Sequence, residues 1–244
     1  MNDLDFNGKT ALVVGGSSGI GNGIARAFLD RGADVHVTGT RAGADAYDGE
    51  DGSDLSGLSY AQLDLSTPDA VQTFQPSFEA LDILVLCQGM VLYRRGEFEM
   101  DGFRQVIEVN LNSLMACAMR FHQMLQSTGG TLITVSSTAA FHATMGNPAY
   151  NASKTGAVGL TRTLAQAWAG QGIRVNGIAP GLVATKMTKV TTDNPARLEA
   201  SLARIPAGRL GTPADMAGAA LFLASPLSAY IYGQTIPVDG GLIL

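Results

Sequence analysis

The chain has 244 residues, of which 46% are apolar and 15% charged, a balance that fits a protein with a large core. With 16 basic and 21 acidic residues the formal net charge is −5, which excludes a basic footprint for nucleic acid. No run approaches about 18 apolar residues, so no membrane span is expected.

The first ten residues, MNDLDFNGKT, carry two aspartates and no apolar stretch of signal-peptide length. Cys87 and Cys117 lie in apolar segments outside any CxxC pattern, as reduced, packed thiols would. A cytoplasmic location is expected.

Short β-type runs alternate with longer helical patterns. KTALVVG (9–15) is a buried strand, and GIARAFLDRG (23–32) a helix that stops at Gly32. ADVHVTG (33–39) is the second strand; a Gly/Asp/Ser-rich loop (42–57) leads to the third, LSYAQLDL (58–65). PDAVQTFQPSF (68–78) predicts a helix with Pro68 in its first turn, ended or kinked by Pro76. The fourth strand is LDILVLCQG (81–89). A long helical pattern over 98–126 precedes the strand GTLITVSS (130–137). Then come a helix over 150–170, the strand IRVNGIAP (173–180) and a Pro/Thr-rich segment. A helix over 213–224 and the strand GQTIPVD (233–239) follow. Such alternation predicts an α/β chain with right-handed βαβ units. The expected result is one domain over 1–244, a doubly wound parallel sheet with helices on both faces.

The segment VVGGSSGIGNG (13–23), between first strand and first helix, holds glycines at 15, 16, 19, 21 and 23. At that place in a doubly wound sheet, helix N–H groups and missing Cβ atoms suit a dinucleotide pyrophosphate. The spacing GxGxxG is not met, because Ile24 stands where the glycine after Gly19 and Gly21 would fall. Alone, the loop serves a phosphate cradle or a tight turn equally well.

AYNASKTGA places Tyr150 and Lys154 on one helix face. A lysine there favours the phenolate, bringing a pKa of about 10 toward a working pH and making a general acid/base. YxxxK also arises by chance on solvated helices. Ser137 ends the strand before Tyr150, at the end of the sheet where ligands bind. Asn110 is an amide in an apolar helical pattern; buried, it needs partners such as backbone and water near the lysine.

In order and spacing, Asn110, Ser137, Tyr150 and Lys154 resemble the catalytic tetrad of the short-chain dehydrogenase/reductase family. Gly15-xxx-Gly19-x-Gly21 resembles that family's TGxxxGxG loop, with Ile20 between the last two glycines and Ser17 and Ser18 offering hydroxyls to phosphate or ribose. LDLS, with Asp64 and Leu65, is similar to the segment that contacts adenine. RVNGIAPG and PGLVATKM resemble the stretch that meets the nicotinamide, through Pro180, Gly181, Val183 and Thr185. GQTIPVDGG resembles the closing strand and turn.

The resemblance covers the whole chain. It implies a Rossmann-like fold and hydride transfer between a nicotinamide cofactor and a ketone or secondary alcohol. Tyr150 would exchange the proton, Ser137 polarise the oxygen, and Lys154 hold the ribose while tuning Tyr150. Two departures stand out: Val14 replaces the loop threonine, and Cys87-Gln88-Gly89 replaces the family's NAG. Gly89 still lets the backbone pass the adenine ribose, and Cys87 is expected to be an inert, buried thiol.

An acid at the end of the second strand favours NAD, whereas a nearby arginine accommodates a 2′-phosphate. Gly39 takes the acid's place, followed by Thr40 and Arg41, with no carboxylate before Asp45. NADP(H) is therefore the expected cofactor, read by Thr40 and Arg41; NAD(H), with Arg41 in solvent, is the alternative. No metal site is assigned.

The substrate wall is expected from 89–98, 138–148 and a mobile 184–208. Met90, Leu92, Phe141, Met145 and Met187 there make an apolar pocket or merely fill core gaps. His142, Arg94 and Arg95 are substrate contacts or incidental loop residues. A 3-oxoacyl-type ketone reductase, an NAD-linked dehydrogenase of a secondary or sugar alcohol, and a binding-only regulator are the candidate functions. The intact Ser137, Tyr150 and Lys154 oppose the last. Ala116, Ala118, Ala157, Gly159 and Ala165, with the ending GGLIL, suggest a homo-oligomer, tetramer or dimer, as similar proteins imply; internal packing is the alternative.

Overall fold

The computed structural model describes residues 3–67 and 69–244. Among them, β1 (Thr10–Val14), β2 (Asp34–Gly39), β3 (Ser59–Gln62), β4 (Ile83–Leu86), β5 (Thr131–Val135), β6 (Arg174–Pro180) and β7 (Thr235–Val238) form one sheet. Its order is β3-β2-β1-β4-β5-β6-β7, with every pair parallel. The Rossmann-like expectation is met.

The pleat explains the unbroken apolar runs. In β1, Ala11 and Val13 face one core, while Leu12 and Val14 face the other. The first core is closed by Ile24, Ala25 and Phe28 of α1 (Gly19–Leu29) and by Met216, Ala217 and Ala220 of α8 (Pro213–Ala224). The second is closed by Leu114, Phe121 and Leu125 of α4 (Ser113–Thr128) and by Leu164 and Trp168 of α5 (Pro148–Trp168). A strand sandwiched this way has no face left for polar residues. Phe28 and Phe121 are fully buried, each worth about 1.5–3 kcal/mol over an exposed ring.

Several elements differ from their predicted extents. Helix α1 starts at Gly19, not Gly23, because the turn is completed by positive φ at Gly15 and Gly19 and the chain is helical from there. The predicted helix over 68–78 reduces to α2 (Ala70–Thr73). Its predicted first-turn residue, Pro68, lies outside the described residues. Phe74 is already extended, two residues before Pro76.

The long helix over 98–126 is α3 (Met100–Ile107) and α4, joined by a π turn at Glu108–Asn112. Helix α5 begins at Pro148, which puts Tyr150 in its first turn. The segment expected to be mobile contains α6 (Lys189–Thr192) and α7 (Pro195–Leu202), the latter with Asn194 as an N-cap that accepts from Arg197 N–H.

The small helical residues expected at a subunit contact divide. Ala118, Ala157 and Ala165 are buried inside the second core, and Ala116 packs against it; Gly159 is exposed. Among the described residues, no helix is long and apolar enough to cross a membrane.

Candidate active site

Strand order reverses between β1 and β4, and a cleft of about 1000 Å³ opens over the carboxyl ends of the strands there. Every residue expected to bind the cofactor lines it, from the glycine turn at one end to Pro180, Gly181, Val183 and Thr185 on the far side.

The glycine turn is built by close approach. A Cβ on Gly15, where φ is +75°, would lie 2.9 Å from the Gln88 backbone, and one on Gly21 would lie 2.2 Å from the Gly15 carbonyl oxygen. From β2, Thr38 Oγ1 accepts the Gly15 N–H at 3.3 Å. Val14 is simply core. Ser18 stands at the N-cap of α1 without a side-chain cap bond, and the Gly19 N–H donates to Gly52 O at 2.8 Å. Close-packed bare backbone at a helix start suits a pyrophosphate. The residues fit a dinucleotide.

Ser17 lines the cleft while largely buried, with its hydroxyl bonded to Tyr47. Arg41 is not adrift in solvent. Its guanidinium stacks 4.5 Å from the Tyr47 ring and pairs with Glu50, whose other oxygen pairs with Lys186. Thr40 O accepts from Gln62 Nε2 at 2.9 Å, and Asp64 Oδ1 accepts from the Ser66 N–H at 3.0 Å.

At the other end, Ser137, Tyr150 and Lys154 share the cleft wall. Ser137 Oγ accepts the Ala139 N–H at 3.1 Å and hydrogen-bonds the Tyr150 phenol. Burial raises the phenol's pKa, and the bond from Ser137 only partly opposes it. Lys154 was expected to lower it. Instead its Nζ donates to Val135 O at 2.9 Å and sits 5.7 Å from the ring centroid, and desolvation brings the lysine itself down to about 8.

Asn110 lies below the cleft, fully buried in the π turn. Its amide takes the Met90 N–H at 2.7 Å and gives bonds to Met90 O at 2.9 Å and Ser153 Oγ at 3.2 Å. These partners are backbone and hydroxyl; a Cβ on Gly89 would meet Lys154 Nζ at 3.4 Å and Asn110 Oδ1 at 3.7 Å. Burial pushes the Cys87 thiol up to about 12, so it stays protonated.

The expected apolar pocket is only partly assembled. Met90 and Met187 line the cleft, whereas Leu92, Phe141 and Met145 do not, and Met145 is 97% exposed. His142 folds back on Ala143 O at 3.0 Å, and Arg95 stacks on Phe98 at 4.5 Å. Among the described residues no cluster of three or more His, Cys, Asp or Glu is placed to hold a metal ion. Glu50 and Glu97 were missed in the sequence: each is one acid among many in its segment, and nothing local marks it.

A glycine turn and a serine–tyrosine–lysine set at opposite ends of one cleft define a dinucleotide-dependent oxidoreductase. Residues 14–243 match the family described as enoyl-(acyl carrier protein) reductase. The 3-oxoacyl-[acyl-carrier-protein] reductase FabG of Chlamydia pneumoniae is 41% identical, over 98% of this chain and 99% of that one. The 2-dehydro-3-deoxy-D-gluconate 5-dehydrogenase of Bacillus subtilis (strain 168) is 39% identical, over 98% and 96%. The crystal structure of a gluconate 5-dehydrogenase from Burkholderia cenocepacia J2315, in complex with NADP and tartrate, superposes with a TM-score of 0.87 at 29% identity, covering 99% of this chain and 97% of that one. The chain belongs to the short-chain dehydrogenase/reductase family. It is an NAD(P)-dependent oxidoreductase acting on CH–OH groups and the matching ketones.

Proposed function

We propose that the chain works as one catalytic domain that reduces a ketone with NADPH, Tyr150 supplying the proton, and runs the reverse oxidation with the same groups. What carries this is the meeting of Ser137, Tyr150 and Lys154 in one cleft with the glycine turn. Nicotinamide, when bound, supplies the hydride. Tyr150, its pKa raised by burial, holds a proton ready for the developing alkoxide. Ser137, fixed through Ala139, directs its hydroxyl at the same oxygen. Lys154, tethered to Val135 O, keeps its remaining donors for the ribose. Asn110 acts through the backbone of Met90, which it grips on both sides.

The preference for NADP(H) is supported by Gly39 in place of an acid, by Arg41 on the cleft wall, and by the relative crystallised with NADP. Release of the Arg41 guanidinium from Glu50 is part of that reading. NAD(H) is the weaker substrate. The relatives named above act on a 3-oxoacyl carrier or a sugar acid, which makes those two carbonyl classes the first to assay.

We place the enzyme in the cytoplasm as a homo-oligomer. Both cysteines are free thiols, and Met100 (59% exposed), Met115 and Met119 (54% exposed) leave an apolar stripe along α3 and α4 open for a second subunit. Consumption of NADPH with a panel of 3-oxoacyl thioesters and keto sugar acids tests the reaction; no turnover with any ketone, despite NADPH binding, would leave a binding module.

A further inference from the structure

Glu97 is 1% exposed, yet among the described residues no lysine, arginine or histidine pairs with it. Three donors converge on its carboxylate instead. The Leu92 N–H donates to Oε1 at 3.1 Å, Asn147 Nδ2 to Oε1 at 3.2 Å, and the Tyr150 N–H to Oε2 at 2.9 Å. Asn147 Nδ2 also donates to Leu92 O at 3.2 Å, closing the knot between the loop and the helix start.

The start of α5 needs this help. Asn147 is the N-cap residue but makes no side-chain cap bond, and Pro148 follows it without an N–H. The first-turn donor of Tyr150 is therefore capped from another segment. A charged acceptor at a helix N-terminus is favoured by the dipole, and its bonds are of the strong, charge-assisted kind. A buried carboxylate left without such bonds would be costly.

The loop is bent to deliver it. Arg94 and Arg95 take φ of +56° and +63°, the left-handed region that side-chain-bearing residues adopt only at a cost, directly before the Gly96–Phe98 turn. The same turn carries Glu97 inward and stacks Arg95 on Phe98.

We infer that Glu97 is the positioning residue for Tyr150: its carboxylate locks the 89–98 loop to the first turn of α5 and so fixes the backbone from which the phenol reaches the cleft. The inference rests on Tyr150 as the proton-exchanging group. Glu97 also acts by its charge. Facing the phenol are Ser137, Cys87 at the end of β4, Tyr93 and Glu97 from the loop, and Lys154 from the same helix. Burial is the largest cause of the phenol's raised pKa and the Ser137 bond opposes it; the Glu97 carboxylate adds a smaller upward push. The protonated phenol is the form that ketone reduction requires.

Glu97→Gln, which keeps the shape and one acceptor oxygen, is compared with Glu97→Ala, wild type and Tyr150→Phe. NADPH binding, kcat, KM and thermal unfolding are measured, with kcat/KM followed from about pH 7 to 11.5. Glu97→Gln should bind NADPH within about twofold of wild type and lose about tenfold in kcat, as a displaced catalytic group does. The high-pH limb of its reduction profile should move to lower pH, since removing the negative charge lets the phenol ionise sooner. If Glu97→Ala unfolds, Glu97→Gln alone decides. An unmoved limb with kcat unchanged, or a loss that only follows the unfolded fraction, would overturn the role of Glu97. A fully active Tyr150→Phe would instead overturn the proton assignment beneath it.

Discussion

Lys154 Nζ lies 5.7 Å from the centre of the Tyr150 ring while donating to Val135 O at 2.9 Å, in a site so dry that the lysine's pKa falls to about 8 from 10.5. Stability must therefore depend on pH through this residue. Between those two values the unfolded chain holds the lysine proton more often than the folded one, so folding gains as pH rises through the window. Below it both states are protonated and the desolvation cost is felt in full. Lys154→Met removes that slope. Relative to the variant, the wild type should gain up to about 3 kcal/mol between pH 8 and pH 10.5. Urea unfolding at both ends of the range checks this; parallel stabilities would refute it.

Tyr150→Phe keeps the ring and removes the proton. The expected loss is about 10²–10⁴ in kcat for ketone reduction, the usual contribution of a positioned acid. NADPH affinity should hardly change, because Lys154 remains tied to Val135 O. Fluorescence titration beside steady-state kinetics separates the two.

Arg41 is held by Glu50, and Glu50 also by Lys186. Arg41→Ala should weaken NADPH by about tenfold or more, the scale of a lost charge-assisted bond, and NADH far less. Adenosine 2′,5′-bisphosphate against 5′-AMP, measured by calorimetry, isolates the 2′-phosphate. Equal losses for both nucleotides would mean that Arg41 only supports its loop.

Gly21→Ala puts a methyl carbon 2.2 Å from the Gly15 carbonyl oxygen, a contact that only backbone movement relieves. A cost of about 1–3 kcal/mol is expected, with a lower Tm and a marked loss of NADPH affinity. A variant with wild-type Tm would mean that the turn is softer than its packing implies.

The parallel sheet, both helix layers and the residues at the strand ends were legible because they rest on period and order. Alternating cores explain apolar runs such as ILVL in β4, and Ser137, Tyr150 and Lys154 fall together because the sheet brings strand ends to one side. Charge balance was not legible. The downward pull of Lys154 on Tyr150 was inferred from spacing, but the outcome depends on burial, which sequence does not give. Glu50 pairs across 136 positions with Lys186 and Glu97 across 53 with Tyr150, and no local pattern announces partners so far away. Asn110 carried a visible signal, a polar amide in an apolar helix, though not its partner Met90.

The π turn at Glu108–Asn112 inserts one extra residue between α3 and α4. Helices advance roughly 100° per residue, so that residue sets the phase of everything after it relative to everything before it. Upstream phase aims Asn110 at Met90 under the cleft floor; downstream phase aims Leu114, Phe121 and Leu125 into the second core. Deleting a single position here cannot preserve both. A mutational survey of this rod should thus tolerate substitutions on its outer face yet reject frame-preserving losses of one codon, making length, rather than any side chain, the most guarded property of the segment.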